Sequence, residues 1–181
     1  RDIKLWLFNL VISTIIMFIA LLRTGLIAIN LDGILIVFIA VGVTFGIRDL
    51  AGNIAGRSSN LKLEYDIWES GQIISFLIAL LMGRYMPVPG DFYPEGSDWT
   101  YQNKLTELAR QSIASAVSLL ALCWFLNFNF IRETKFTEVL MMAATNLAIF
   151  DIAFIFFPFV SYNGRRIWDY NKKIWLVLLV V

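Results

Sequence analysis

The sequence predicts an all-α protein that crosses the membrane several times, and three properties of the chain lead to this fold class. Of its 181 residues, 59% are hydrophobic and only 16% are charged. The mean hydropathy is +0.71. A soluble domain is usually about one quarter charged, so this chain has too little polar surface to cover a soluble globule. Its apolar residues are also grouped into runs near the length of about 20 residues that a membrane helix needs.

The counts of single residue types exclude several classes of function. The chain has no histidine and one cysteine. Its own residues therefore cannot form a histidine-ligated zinc site, a Ser-His-Asp triad or a multi-cysteine metal site. Fifteen Lys and Arg against 14 Asp and Glu give a net charge of +1, which provides no basic surface for nucleic acid. We expect no nucleic-acid partner, no cofactor and no bound metal.

About six apolar runs are the candidate transmembrane helices. They cover residues 5–22, 26–47, 71–83, 112–131, 139–160 and 174–181. The third run is short, but Arg84 can extend its side chain toward the headgroups and so lengthen the span. The sixth run has eight residues and would rise only about 12 Å. We therefore expect a truncated last span and a chain that is part of a longer polypeptide.

Two longer polar connections separate the spans. Residues 48–70 begin with a helix-like pattern and then alternate apolar with polar residues, which predicts a half-buried strand near 57–68. Residues 84–104 hold three of the four prolines, which predicts an ordered loop rather than a helix. Residues 104–111 follow as a candidate interfacial helical turn that leads into the fourth span.

Short segments in a fixed order carry a resemblance to a known family. The second span ends in Ile47-Arg48-Asp49-Leu50-Ala51-Gly52, which taken alone is an ordinary helix end. The strand-containing connection, a further span and Pro89-Gly90 follow it. Pro158 and the run Tyr162-Asn163-Gly164-Arg165-Arg166-Ile167-Trp168 come near the end of the chain. In order and spacing, these segments resemble the site-2 protease family of intramembrane zinc metalloproteases, especially its archaeal branch.

The resemblance implies that the catalytic side chains have been replaced. The family's first motif holds two zinc-binding histidines and a glutamate, and its late motif supplies an aspartate before a glycine. Arg48 and Gly52 stand at the histidine positions, Asp49 at the glutamate, and Asn163 at the aspartate, whereas Gly164 is retained. Arginine has no acceptor atom, glycine has no side chain, and an asparagine amide is neutral. We therefore expect a degenerate member of the family that is not an enzyme.

Charged residues inside apolar runs are costly and usually face a partner or a cavity. Asp151 lies in the middle of the fifth run. Asp32 lies near the start of the second, where Asn30 and Gly33 beside it predict a turn or a helix cap at the interface. We predict that Arg48 faces Asp151, or Asn163, where the resemblance would place the metal. An ion pair or hydrogen bond would then join the two spans.

Basic and aromatic residues near the end of the chain predict contact with lipid headgroups, because both types concentrate at membrane interfaces. The expected interface anchors are Arg165, Arg166, Trp168, Lys172, Lys173 and Trp175.

The resemblance covers roughly residues 33–181, the transmembrane core, and leaves residues 1–32 as an amino-terminal span and turn. The preferred function is a non-catalytic, site-2-protease-like integral membrane protein of the cell membrane. It would act as a scaffold or accessory subunit, with the lipid bilayer and other membrane subunits as partners. Three alternatives stay open: a proton- or ion-conducting or transporter subunit that uses Asp151, an active intramembrane metalloprotease, and a function outside these residues. Lys and Arg are divided almost equally between the two sides, so orientation stays open too.

Overall fold

The computed structural model describes residues 1–59, 61–96, 98–128, 134–156 and 161–180. Within these ranges the chain forms helices and one small sheet. In chain order the elements are α1 (Asp2–Thr24), α2 (Leu31–Ser58), β1 (Leu63–Asp66), α3 (Glu69–Met82), β2 (Asp91–Pro94), α4 (Leu105–Asn127), α5 (Lys135–Ala153), α6 (Gly164–Tyr170) and α7 (Lys172–Val180). By length and composition, α1, α2, α4 and α5 can each cross a membrane.

Four of the six predicted spans are thus long enough, and the other two are shorter helices. The third run forms α3, with 14 residues, and the sixth forms α7, with nine. At 1.5 Å per residue these helices rise about 21 and 14 Å, less than the 30 Å or so of a hydrocarbon core. The structure therefore supports a mostly helical protein with four candidate spans.

Three helices, α2, α4 and α5, have boundaries that differ from the predicted ones. α2 begins at Leu31, where the side chain of Asn30 accepts a hydrogen bond from the Gly33 N–H at 2.7 Å, which confirms the predicted cap. It continues to Ser58 because its polar residues near position 48 find partners inside the protein. Residues 105–111 are the first turns of α4 rather than a separate interfacial turn. α5 ends at Ala153, and Pro158 of the late motif lies outside the described residues.

The strand predicted near residues 57–68 is confirmed as β1, which pairs antiparallel with β2. Tyr65 stands opposite Phe92 in this register, and their rings pack edge to face with centroids 5.1 Å apart. β2 lies in the connection that the sequence predicts as a loop. The sequence does not reveal this strand, because four residues that end in proline form no recognisable alternating pattern. The small sheet closes the end of the bundle at which α1 begins and α2 ends.

An extended segment, residues 85–90, returns through the interior from α3 to β2. Its two prolines have no N–H group to satisfy. Three of its backbone carbonyls accept hydrogen bonds from side chains: Met86 from Ser75, Pro87 from Tyr162, and Gly90 from Arg48. Non-helical backbone is tolerated between membrane helices only where protein groups satisfy it. These bonds allow the segment to run beside the helices.

Glycines bring α2 and α4 into close contact. A Cβ atom added at Gly52 would lie 2.4 Å from Ser115 Oγ, and one at Gly56 would lie 3.1 Å from Gln111 Oε1. The Ser115 hydroxyl cannot turn away without cost, because it donates a hydrogen bond to the backbone carbonyl of Arg48 at 3.0 Å. Small residues allow helix backbones to approach in this way.

Replacement of Gly52 by alanine is therefore expected to destabilise the protein, by about 1–3 kcal/mol for an overpacked contact. Thermal unfolding in detergent, followed by tryptophan fluorescence, measures the effect. Gly46→Ala is the matched control, since nothing lies within 4 Å of a Cβ at that position. Adding Ser115→Ala to Gly52→Ala should recover part of the lost stability. Equal unfolding temperatures for the Gly52 and Gly46 variants would contradict the close α2–α4 contact.

Candidate functional site

The side chain of Arg48 is the centre of a buried polar cluster and is fully inaccessible to solvent. Its Nε and Nη2 donate to Asp151 Oδ1 at 3.1 and 2.9 Å, and its Nη1 donates to Asp49 Oδ1 at 2.7 Å. Nη1 also donates to the Gly90 carbonyl at 2.8 Å, and Nη2 to the Ser161 carbonyl. A guanidinium has five N–H donors. All five are used, so this buried cation is compensated on every side.

Asp151 joins this cluster to the segment that leads into α6. It lies two residues before the end of α5 and is completely buried. Besides the Arg48 guanidinium, its Oδ1 accepts the backbone N–H of Asn163 at 3.3 Å. Its Oδ2 accepts the side-chain amide of Asn163 at 2.7 Å. Both carboxylate oxygens are therefore committed to donors of the protein itself.

Asp49 extends the cluster toward α1 and the sheet. Its Oδ2 accepts Trp6 Nε1–H at 2.9 Å and the Tyr65 hydroxyl at 3.4 Å. Burial and the negative charge of Asp49 raise the pKa of Tyr65 well above its usual value, so the phenol stays protonated and donates. Asn9 donates to the Tyr65 oxygen at 3.2 Å, and Gln72 of α3 donates to Asn9. Hydrogen bonds thus run from α3 to the start of α6.

A second buried ion pair fastens α6 to the sheet. Arg166 is 1% exposed, forms a salt bridge with Asp91, and holds its guanidinium carbon 4.9 Å from the centre of the Tyr93 ring. Burial disfavours its charged form, but the Asp91 carboxylate together with Tyr93 and Tyr101 outweighs that effect, and the pKa of Arg166 is raised. Gln111 of α4 also donates to Asp91, at 3.3 Å. Arg166 therefore departs from the expected interface position, because its partners draw it into the protein.

The other residues predicted to anchor the chain at the interface lie on α6 and α7 and are at least partly accessible. They are Arg165, Trp168, Lys172, Lys173 and Trp175. The rings of Trp168 and Trp175 meet edge to face, with centroids 4.8 Å apart. The Lys172 ammonium lies 5.0 Å from the Trp168 ring centre. Their contact with lipid headgroups stays a prediction.

The structure brings some of the motif positions together and separates one. Arg48, Asp49 and Asn163 belong to one cluster, whereas Gly52 faces α4. Close packing requires a glycine at position 164, because a Cβ atom there would lie 2.2 Å from the carbonyl oxygen of Ile152. Sequence reasoning missed the Asp91–Arg166 pair and the backbone carbonyls around Arg48. The sequence indicates the Asp91–Arg166 pair only by the presence of two opposite charges in a mostly apolar chain. Backbone carbonyls are present at every residue, so the sequence does not indicate which of them accept hydrogen bonds from Arg48.

The side chains at this site do not fit a zinc ion. Protein zinc sites use imidazole, thiolate and carboxylate ligands. Here a guanidinium lies between the carboxylates of Asp49 and Asp151, and Ser115 takes up the space for any ligand at Gly52. Across the described ranges, no three or more Asp, Glu, Cys or His side chains are grouped to hold a metal. We therefore derive no metal-dependent step at this site.

Comparison with known proteins gives a distant similarity. The chain is 24% identical, over 148 residues, to a protein of Methanocaldococcus jannaschii named "Putative zinc metalloprotease". The aligned region covers 80% of this chain and 74% of that protein. No family model matches the chain, and no solved structure matches it significantly. The similarity indicates, at most, a site-2-protease-like relationship.

Loss of one partner of the buried Arg48–Asp151 pair is expected to destabilise the protein strongly. Arg48→Met or Asp151→Asn should each cost about 3–5 kcal/mol, because an uncompensated charge stays buried. The double variant should cost less than the sum of the two, a coupling that denaturant titration in micelles measures. The matched control is Arg165→Met, which breaks a partly exposed i,i+4 pair with Asp169 worth about 0.3–0.5 kcal/mol. Strict additivity of the two buried variants would show that the pair is not coupled.

Proposed function

We propose that this chain is a non-catalytic integral membrane protein related to intramembrane zinc metalloproteases. In it, the Arg48 guanidinium takes the place of the metal as the link between α2, α5 and the segment before α6. One observation carries the proposal: the five donors of Arg48 bind acceptors from four separate parts of the chain. These are Asp49 on α2, Gly90 before β2, Asp151 on α5, and Ser161.

The surroundings of Asp49 support a loss of hydrolytic chemistry. A general base must be within hydrogen-bond reach of the attacking water. Asp49 is buried, and its carboxylate accepts hydrogen bonds from Arg48, Trp6 and Tyr65, all within the protein. The chain has no histidine to serve as an alternative base. The activity in the relative's name therefore belongs to that protein and is not proposed here.

A rigid bundle that lacks this chemistry suits binding. The hydrogen-bond chain from Gln72 to Asn163 fixes helices, sheet and extended segment in one arrangement. We propose that this rigid framework acts as a scaffold or accessory subunit for other membrane proteins. Two arguments support this role: the geometry disfavours hydrolysis and ion conduction, and the Arg48 cluster holds the surrounding elements in a fixed arrangement.

The ion-conducting alternative is less well supported by the geometry. A proton carrier must exchange its proton with water along a path. Asp151 is completely buried, and both its oxygens accept hydrogen bonds from Arg48 or Asn163. Asp32 is exposed in the first turn of α2, where a negative charge stabilises the helix dipole. These placements favour structural roles for both carboxylates.

Restoring the family's ligands tests the proposed replacement directly. The variant carries Arg48→His, Asp49→Glu, Gly52→His and Asn163→Asp, with Ser115→Ala to make room at position 52. We expect this variant to gain close to one zinc per chain, measured by mass spectrometry of the metal, and the wild type to hold far less. The control variant carries Arg48→His and Ser115→Ala alone. Stoichiometric zinc in the wild type would refute the proposal, and so would no gain in the restored variant if it still folds.

The accessory role predicts a defined assembly in the native membrane. After extraction in mild detergent, native mass spectrometry should find this 20.7 kDa chain in fixed stoichiometry with another membrane protein. Chemical cross-links should join the same pairs of residues in independent preparations. A particle that contains this chain alone, under conditions that preserve other native membrane complexes, would contradict an accessory role without affecting the loss of metal binding.

A further inference from the structure

A cavity of about 570 Å³ opens between α1, α3 and α5, away from the Arg48 cluster. This volume is within the range of 300–1,000 Å³ that is usual for small-molecule sites. The inner walls are mainly apolar and include Leu21, Ile78, Met142 and Phe150. Methionine adapts its shape to flexible apolar ligands. The cavity is therefore suited to an alkyl chain.

Two polar side chains, Tyr85 and Asn146, lie on the wall of the cavity. Tyr85 is 8% exposed, and its hydroxyl has no hydrogen-bond partner among the described residues. Asn146 of α5 also lines the cavity. A buried hydroxyl left without a partner costs about 1–3 kcal/mol. A ligand oxygen that accepts the Tyr85 hydrogen would remove that cost.

The mouth of the cavity carries positive charge. Arg84 lines it and is exposed. Arg23, at the end of α1, reaches α3 through a hydrogen bond to the Leu80 carbonyl, so both arginines lie where α1 and α3 end. Neither forms a salt bridge with an acidic side chain in the described part of the chain. Arginine pairs well with phosphate and carboxylate groups.

We propose that this cavity binds an anionic membrane amphiphile. Its phosphate or carboxylate lies at Arg84 and Arg23, near the end of the bundle. An ester or carboxyl oxygen accepts the hydrogen bond of Tyr85. The alkyl chain lies deeper, against Met142 and Phe150. The same chemistry could come from an anionic phospholipid or from a free fatty acid, and the proposal does not depend on whether the chain is catalytic.

Photolabelling of the full chain in phosphatidylcholine nanodiscs tests this proposal. Two probes carry a diazirine on the same alkyl chain: a free fatty acid and a phosphatidylglycerol. Cross-links are expected within residues 78–86 and 142–150. The probe that forms them shows whether the ligand is a free fatty acid or an anionic phospholipid. Tyr85→Phe should reduce labelling about fivefold, as the loss of one hydrogen bond predicts. Arg84→Gln should reduce it too, and Met142→Trp should abolish it by filling the cavity.

Two control variants separate binding in the cavity from general contact with lipid. Tyr170→Phe removes an exposed hydroxyl outside the cavity, and Ile39→Trp adds bulk to an exposed position of α2; both should label as the wild type does. Equal labelling of wild type and Tyr85→Phe would overturn the proposal. So would cross-links spread evenly over lipid-facing residues, or equal labelling by a phosphatidylcholine probe. If Met142→Trp does not fold, the labelling of Tyr85→Phe and Arg84→Gln tests the proposal instead.

Discussion

The fold depends on the compensation of one buried cation. A guanidinium inside a membrane bundle is tolerated only if its charge and its five donors are met by protein groups. The acceptors for Arg48 come from α2, α5, the extended segment and the segment before α6. Each of these elements must therefore be in place for the others to be stable. A second buried ion pair, Arg166 with Asp91, joins α6 to the sheet.

Small and donor-poor residues make that arrangement possible. Gly52 and Gly56 let α4 approach α2, and the close approach brings Ser115 to the Arg48 carbonyl. Pro87 and Pro89 remove two N–H groups from a stretch that no helix or sheet could satisfy. The glycine at position 52 and the buried guanidinium at position 48 thus belong to one packing arrangement. Together they leave no space or ligand set for a metal.

Much of the fold could be predicted from hydropathy and alternation, because both patterns report burial. They located the four long helices and β1. They did not reveal β2 or α6, which are short and irregular in sequence. At the site, the resemblance in motif order and the cost of an unpaired charge inside a span led to the prediction that Arg48 faces Asp151 or Asn163. The structure brings these three residues together. The position of Arg166 was not predictable, because basic residues beside tryptophans usually mark an interface. Its true partner, Asp91, is distant in the sequence.

In this structure a guanidinium, and not a metal, links α2 to α5. X-ray diffraction from crystals of the full chain, grown with added zinc and measured on both sides of the zinc absorption edge, tests this link most directly. We expect planar side-chain density from Arg48 in contact with Asp151, and no anomalous peak between Asp49, Asp151 and Asn163. An anomalous peak at that position, with the Arg48 side chain turned away, would contradict it.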